Sequence, residues 1–149
     1  MSVERSDLRV GLAPARTTLD NGAVVIAKRT TTTPAVAINL ALRAGSVCDP
    51  PGAEGTTWVL SRVIDRGTAS RSTEAIAEDL DSRGITLNVT VTRHLFSLVC
   101  TCLAEDFEPL LALLGDIIMS PSLPESEIAT RKGEVVTAIR QDDAVISCS

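Results

Sequence analysis

Few side chains in this sequence can do chemistry. The soft metal ligands are one histidine, His94, and four cysteines, Cys48, Cys100, Cys102 and Cys148. No Cys-x-x-Cys pair occurs, and the spacing matches no zinc-ribbon or redox motif. The cysteines read as small buried residues of a reducing compartment. Cys100 and Cys102, two apart, share one face of a strand. His94 falls at a turn, about 20 Å from Cys100 along an extended chain, so these three do not make a metal centre. Ser61 has no Gly-x-Ser-x-Gly elbow and no neighbouring base, so it reads as a small helix residue rather than a nucleophile.

The elements that must position these groups follow from hydrophobic periodicity. Thr17 to Leu19 and Val24 to Ala27 read as two strands joined at Asp20-Asn21-Gly22, where Asn and Gly tolerate positive φ. Val36, Ile38, Leu40 and Leu42 alternate as one face of a third strand that ends at Gly45. Cys48-Asp49-Pro50-Pro51-Gly52 excludes regular structure. Thr56 to Asp65, with apolar residues at 59, 60, 63 and 64 beside Trp58, suits a buried helix closed by Gly67. Ser72 and Thr73 offer caps for a second helix, on which Ile76 and Leu80 share a face and which Gly84 stops.

Residues 85–92 alternate Ile85, Leu87, Val89 and Val91 with Thr86, Asn88, Thr90 and Thr92, a half-buried strand. Arg93-His94 connects it to a more apolar antiparallel strand over Leu95 to Leu103. Asp106 suits the cap of a third helix whose face is Phe107, Leu110, Leu111, Leu114, Ile117 and Ile118. Ser120-Pro121-Ser122 breaks the chain, and Pro124 suits the first turn of a fourth helix running to about Arg140. Ile128, Val135 and Ile139 occupy one side of it. Glu125, Glu127, Arg131 and Lys132 read as a solvated face. The order β-β-β-α-α-β-β-α-α predicts an α+β fold, with helices on one face of an antiparallel sheet. Residues 1–16 form an expected N-terminal arm and 17–149 one domain.

Composition narrows the function classes. Hydrophobic residues make up 44% of the 149, with one Trp, two Phe and no Tyr, so the core is aliphatic. Stacking platforms for single-stranded nucleic acid are missing. The net charge is −5 and the basic residues are scattered, which disfavours a phosphate backbone as partner. No apolar run approaches the roughly 20 residues of a membrane span, and the N-terminal residues do not read as a signal peptide. A soluble chain is expected, with a cytoplasmic setting favoured.

The ordered punctuation resembles the insulinase, pitrilysin and mitochondrial-processing-peptidase family of zinc peptidases. The matching pieces are Leu19-Asp20-Asn21-Gly22-Ala23-Val24-Val25, Arg43-Ala44-Gly45-Ser46, Pro50-Pro51-Gly52, Gly67-Thr68, Gly84, Asn88 and Ser120-Pro121. They span about residues 17 to 142. The resemblance implies a first helix carrying His-x-x-Glu-His, in which two histidines grip zinc and the glutamate activates the bound water. A second glutamate on the last long helix completes the metal shell. Under that resemblance Trp58 stands at the first histidine, Ser61 at the general base, Arg62 at the second histidine, and Ala138 at the downstream ligand.

None of these can do the family's work. Indole N–H only donates, a serine hydroxyl is a poor base at neutral pH, arginine repels a cation, and alanine has no ligand atom. With a single histidine in the chain, His-x-x-Glu-His occurs nowhere in it. The resemblance therefore implies a member without zinc or other cofactor, acting as the non-catalytic half of a clamp. Its partner would be a homologous chain or domain with the intact motif. Trp58 is expected to fill the space of the metal shell, and Arg62 to pair with an acidic neighbour. The strand around Asn88 and Thr90 is expected to keep a peptide-binding shape. The competing expectations are an active metallopeptidase with an unforeseen metal site, and a purely structural subunit. Family domains continue past the last helix, so self-association through an exposed sheet edge is a further expectation.

Overall fold

A computed structural model describes residues 14–30 and 32–146. Most of the expected arm (residues 1–13), the side chains of Val135 and Ile139, and Cys148 lie outside the described residues. The chain divides into two compact units, Met1–Pro34 and Ala35–Ser149.

The first unit contains a hairpin of β1 (Ala15–Thr18) and β2 (Val24–Ala27), paired antiparallel with Thr18 opposite Val24. Leu19, expected in the first strand, belongs to the turn instead. Its N–H donates to the Ala23 carbonyl in the ladder's register (2.8 Å), but its carbonyl accepts from Gly22 N (2.9 Å) and closes the turn instead of pairing with Ala23 N. The Asn21 side chain accepts from Ala23 N (3.0 Å), and Gly22 takes φ 84°, as the turn signal requires.

The second unit is a three-stranded antiparallel sheet in the order β3-β5-β4, made of β3 (Ala35–Leu42), β4 (Thr86–Val91) and β5 (Phe96–Leu103). Its register sets Ile38 opposite Cys100 and Cys100 opposite Leu87. Four helices join it: α1 (Thr56–Val63), α2 (Thr73–Ser82), α3 (Phe107–Met119) and α4 (Glu125–Ile146). The fold is α+β, and the element order is the expected one.

The sheet is one-sided because each strand alternates. Phe96, Leu98, Cys100 and Cys102 are buried, whereas Val99 and Leu103 on the other face are exposed. Helix α3 supplies Leu110, Leu113, Leu114 and Ile117 to the same core. Each such side chain contributes about 1.5–3 kcal/mol of hydrophobic stabilisation. Leu111, expected on this face, is half exposed, and Leu113 takes its place. The spacing 110, 113, 114, 117 keeps a single stripe, and Leu111 lies about 100° around the helix from Leu110.

The start of α3 differs from expectation because a side chain found a better partner. Asp106 precedes α3 but makes no capping bond. Its carboxylate accepts from Arg83 Nη1 at 2.7 Å, while Arg83 Nε donates to Asp79 at 2.8 Å. Ser72 does cap α2, accepting from Ala75 N (3.2 Å). Helix α1 stops at Val63, two residues before the expected Asp65. Residues Ser46–Cys48 form a single 3-10 turn, so Cys48 ends a regular turn before the Pro/Gly loop.

Candidate functional site

Helix α1 begins without a side-chain cap of its own, because Gly55 holds the capping position at φ 91°. Asp49 supplies the missing acceptor from six residues upstream. Its Oδ2 accepts from Gly55 N (2.8 Å) and its Oδ1 from Thr57 N (2.8 Å) and from the Thr57 hydroxyl. The hydroxyl bond is the main cause that holds the Asp49 carboxyl below its ordinary range, with the two backbone donors adding to it. The Pro50-Pro51-Gly52 loop thus has a structural task, to bring a carboxylate back onto the helix start.

Helical spacing divides α1 into two sides. Thr57 and Ser61, four apart, are buried, with Ile64 just past the helix end. Trp58 and Arg62, also four apart, are exposed, and the Arg62 guanidinium lies 5.0 Å from the centre of the Trp58 ring. Trp58 therefore fills no closed space. It is 38% exposed and forms a wall of a groove. Arg62 was expected to pair with an acid. Among the described residues it has no carboxylate within 4.0 Å and lies over the Trp58 ring instead, while Asp65 pairs with Arg66 (3.5 Å). The Ser61 hydroxyl donates to the Trp58 carbonyl at 2.7 Å, so its proton is committed to its own helix.

These three side chains do not form a donor set for zinc: one donates only, one is engaged and turned inward, and one carries a fixed positive charge. The backbone of Ala138 lies on α4, the helix that packs against α1. His94 is exposed at the β4–β5 turn, and Cys100 is buried on the sheet, so the structure keeps them apart. Burial pushes the Cys100 thiol up to about 11 and raises that of Cys102 as well. Cys48, expected to be buried, is exposed. Among the described residues no three His, Cys, Asp or Glu side chains gather into a metal-holding group. No helix there is long and apolar enough to cross a membrane.

Asn88 and Thr90 lie on the exposed face of β4, an edge strand whose ladder partner among the described residues is β5, with Asn88 opposite Val99 and Thr90 opposite Ser97. Leu87 and Val89 point the other way, into the core. These two candidates are not groove residues. They belong to the sheet, and Trp58 and Arg62 to the helix layer.

The groove beside Trp58 was not foreseen. It has a cavity volume of about 660 Å³ and runs between α1 and the first half of α4, with Leu123 at its end. Leu123 is the non-glycine residue with positive φ (45°) among the described residues, a conformation that costs on the order of 1 kcal/mol. Lys132, exposed as expected of a solvated face, also lines this groove. Arg131 alone carries the expected pairing, with Glu127 (3.8 Å) and Glu134 (2.9 Å). The signal was present in the sequence: Ile128, Lys132 and Val136 are spaced by four and share one helix face.

Known proteins match this arrangement. The model of the insulinase family, peptidase family M16, matches residues 24–145. An uncharacterised zinc protease of Rickettsia bellii is 32% identical over 111 residues, covering 74% of this chain and 27% of that protein. Subunit 1 of the human mitochondrial cytochrome b-c1 complex is 26% identical over 126 residues, 85% of this chain and 26% of that subunit. The solved structure of an inactive peptidase M16 domain from Pseudomonas fluorescens superposes with a TM-score of 0.78 at 19% identity, over 87% of this chain and 32% of that one. The chain thus spans about a quarter to a third of the length of these relatives. By the family match and the shared fold, this chain belongs to the insulinase family, peptidase family M16.

Proposed function

We propose that this chain is a catalytically inactive member of its family that works as the non-catalytic half of a clamp-shaped peptidase. It holds peptide and assembles with a homologous subunit or domain that carries His-x-x-Glu-His. The observation that carries this reading is chemical. The chain has one histidine, exposed at a turn, so no two imidazoles can grip a divalent cation. Trp58, Ser61, Arg62 and Ala138 are the degenerate positions of the family zinc site in this reading. The likeness to an inactive M16 domain supports it. Asn88 and Thr90 on edge strand β4 are the residual peptide-binding strand, where an extended peptide adds as a further strand.

The experiment is co-expression with a motif-bearing homologous chain, followed by metal analysis and peptide cleavage for each chain alone and together. Cleavage by the pair, weaker or lost with the partner alone, supports the reading. Stoichiometric zinc and chelator-sensitive cleavage by this chain alone would overturn it in favour of an unforeseen metal site. A second reading, a purely structural subunit, draws on the likeness to a cytochrome b-c1 complex subunit. It predicts assembly with no change in the partner's activity.

A further inference from the structure

The chain has three asparagines, Asn21, Asn39 and Asn88, in unlike surroundings. Asn39 and Asn88 lie inside strands β3 and β4, followed by Leu40 and Val89. Extended backbone carries a side-chain amide away from the next residue's nitrogen, and the bulky neighbour crowds any approach. Asn21 is exposed in the turn between β1 and β2 and is followed by Gly22, where an added Cβ would meet nothing within 4 Å. The Asn21 side chain folds forward there, since its Oδ1 accepts from Ala23 N at 3.0 Å. That bond polarises the side-chain carbonyl and faces the charge that would develop on its oxygen under attack. The Gly22 backbone nitrogen, with no side chain beside it, is the nucleophile on the adjacent residue. One contact opposes it: Gly22 N–H donates to the Leu19 carbonyl at 2.9 Å. The hairpin that maintains this contact has two four-residue strands, and every β2 side chain is exposed. Two strands alone are marginal in water, so the turn opens readily.

We propose that Asn21-Gly22 is a self-modifying site, at which the chain converts its own side-chain amide to an acid. The Gly22 nitrogen gives its proton to solvent base and bonds to Asn21 Cγ. The Cγ–Nδ2 bond breaks, and ammonia leaves with a proton from water. The cyclic imide so formed then takes up a water molecule. Opening at Cγ gives aspartate. Opening at the backbone carbonyl gives isoaspartate, in which the main chain runs through the former side chain. No electrons are transferred, and water is the sole co-reactant. Either product adds a negative charge to a chain whose net charge is −5. Isoaspartate also lengthens the backbone of a turn that sets Thr18 opposite Val24. The hairpin therefore loses its pairing as the chain ages.

The full chain is held in mildly alkaline buffer for several days, with a sample at the start as baseline. Trypsin then releases Asn21 in the peptide Thr17–Lys28, Asn39 in 30–43 and Asn88 in 84–93. The Asn21 peptide should gain the mass difference between an amide and an acid, as two products that chromatography separates. It should take up heavy oxygen when the buffer is made with labelled water. The Asn39 and Asn88 peptides should stay unchanged. The rate at Asn21 should lie within about tenfold of that in a free synthetic peptide of the same sequence, because an exposed hairpin opens at little cost. Asn21→Asp should show no such change of mass and should keep the cross-strand NMR contact between Thr18 and Val24. The isoaspartate fraction of the aged chain should lose that contact. An Asn21 peptide that stays intact while the free peptide converts overturns the assignment, and so does conversion of Asn39 or Asn88 at the same rate. An isoaspartate fraction with the contact intact overturns the loss of pairing.

Discussion

Gly45 meets the backbone of Arg93 so closely that an added Cβ would stand 2.5 Å from the Arg93 carbonyl carbon. The end of β3 is pressed onto the β4–β5 turn there. Ser46 N donates to the Thr92 carbonyl (3.1 Å) and Val47 N to that of Arg93 (3.0 Å). The contact explains why the Arg-Ala-Gly-Ser stretch needs its glycine for reach, since backbone cannot yield as a flexible side chain does. Gly45→Ala should lower stability by about 1–3 kcal/mol, the usual cost of overpacking. Gly133→Ala is the control: its site on α4 is open, and alanine there should be neutral or raise stability by about 0.5–1 kcal/mol. Urea melts of both variants check the contrast, and a Gly45→Ala midpoint equal to that of the parent would disprove the contact.

The carboxylate of Asp49 holds the start of α1, so its ionisation should be felt in acid. Its folded-state pKa is depressed below the ordinary 3.8. A depressed carboxyl contributes stability that is present above the unfolded value and is lost as pH falls through the folded one. Asp49→Asn should therefore lower the melting temperature at pH 7, and the gap to the parent should shrink below about pH 4. Hydrogen exchange at the Gly55 and Thr57 amides, accelerated in the variant at neutral pH, is the local readout. A gap that is constant from pH 7 to pH 3 would rule out the ionised contact.

The thiols should separate by burial. Cys48 is exposed, whereas Cys100 and Cys102 are buried with raised pKa values. Iodoacetamide at pH 8 should modify Cys48 on the folded chain and leave Cys100 and Cys102 untouched until denaturant is added. Peptide mapping by mass spectrometry checks this, and early modification of Cys100 would contradict the packing of β5 on α3.

How much of this was legible in the sequence depends on whether a residue's fate was decided locally. Leu87 and Val89 read correctly because strand alternation is local, and so did the cap at Ser72, which finds its acceptor role three residues away. Asp106 read wrongly because its winning partner, Arg83, is 23 residues distant. Arg62 was given an acid and found an indole at its own i−4 position. Asp49 was read as loop and proved to be the anchor of α1, a role visible only once the two prolines had folded the chain back. One wall of the groove is periodic, since Ile128, Lys132 and Val136 recur every four residues, whereas the α1 wall and Leu123 join it only through the packing of two helices, which no periodicity reports.

The exposed pair on α1 offers a test of the family register. Trp58 and Arg62 share the outward face, so Trp58→His with Arg62→His sets two imidazoles at i and i+4, the spacing that grips zinc. Ser61 is left alone, because it is buried and a glutamate there would desolvate a carboxylate without a partner. The double variant should bind zinc or cobalt where the parent binds neither. If Ala138 is the downstream ligand position, adding Ala138→Glu should tighten binding by about tenfold or more, as a third ligand completes the shell. Placing the glutamate at Val136 instead tests the shifted register, since that side chain lines the same groove as Trp58. Cobalt absorption titrations read all three constants. A tighter site with Val136→Glu than with Ala138→Glu would move the register and refute the assignment of Ala138.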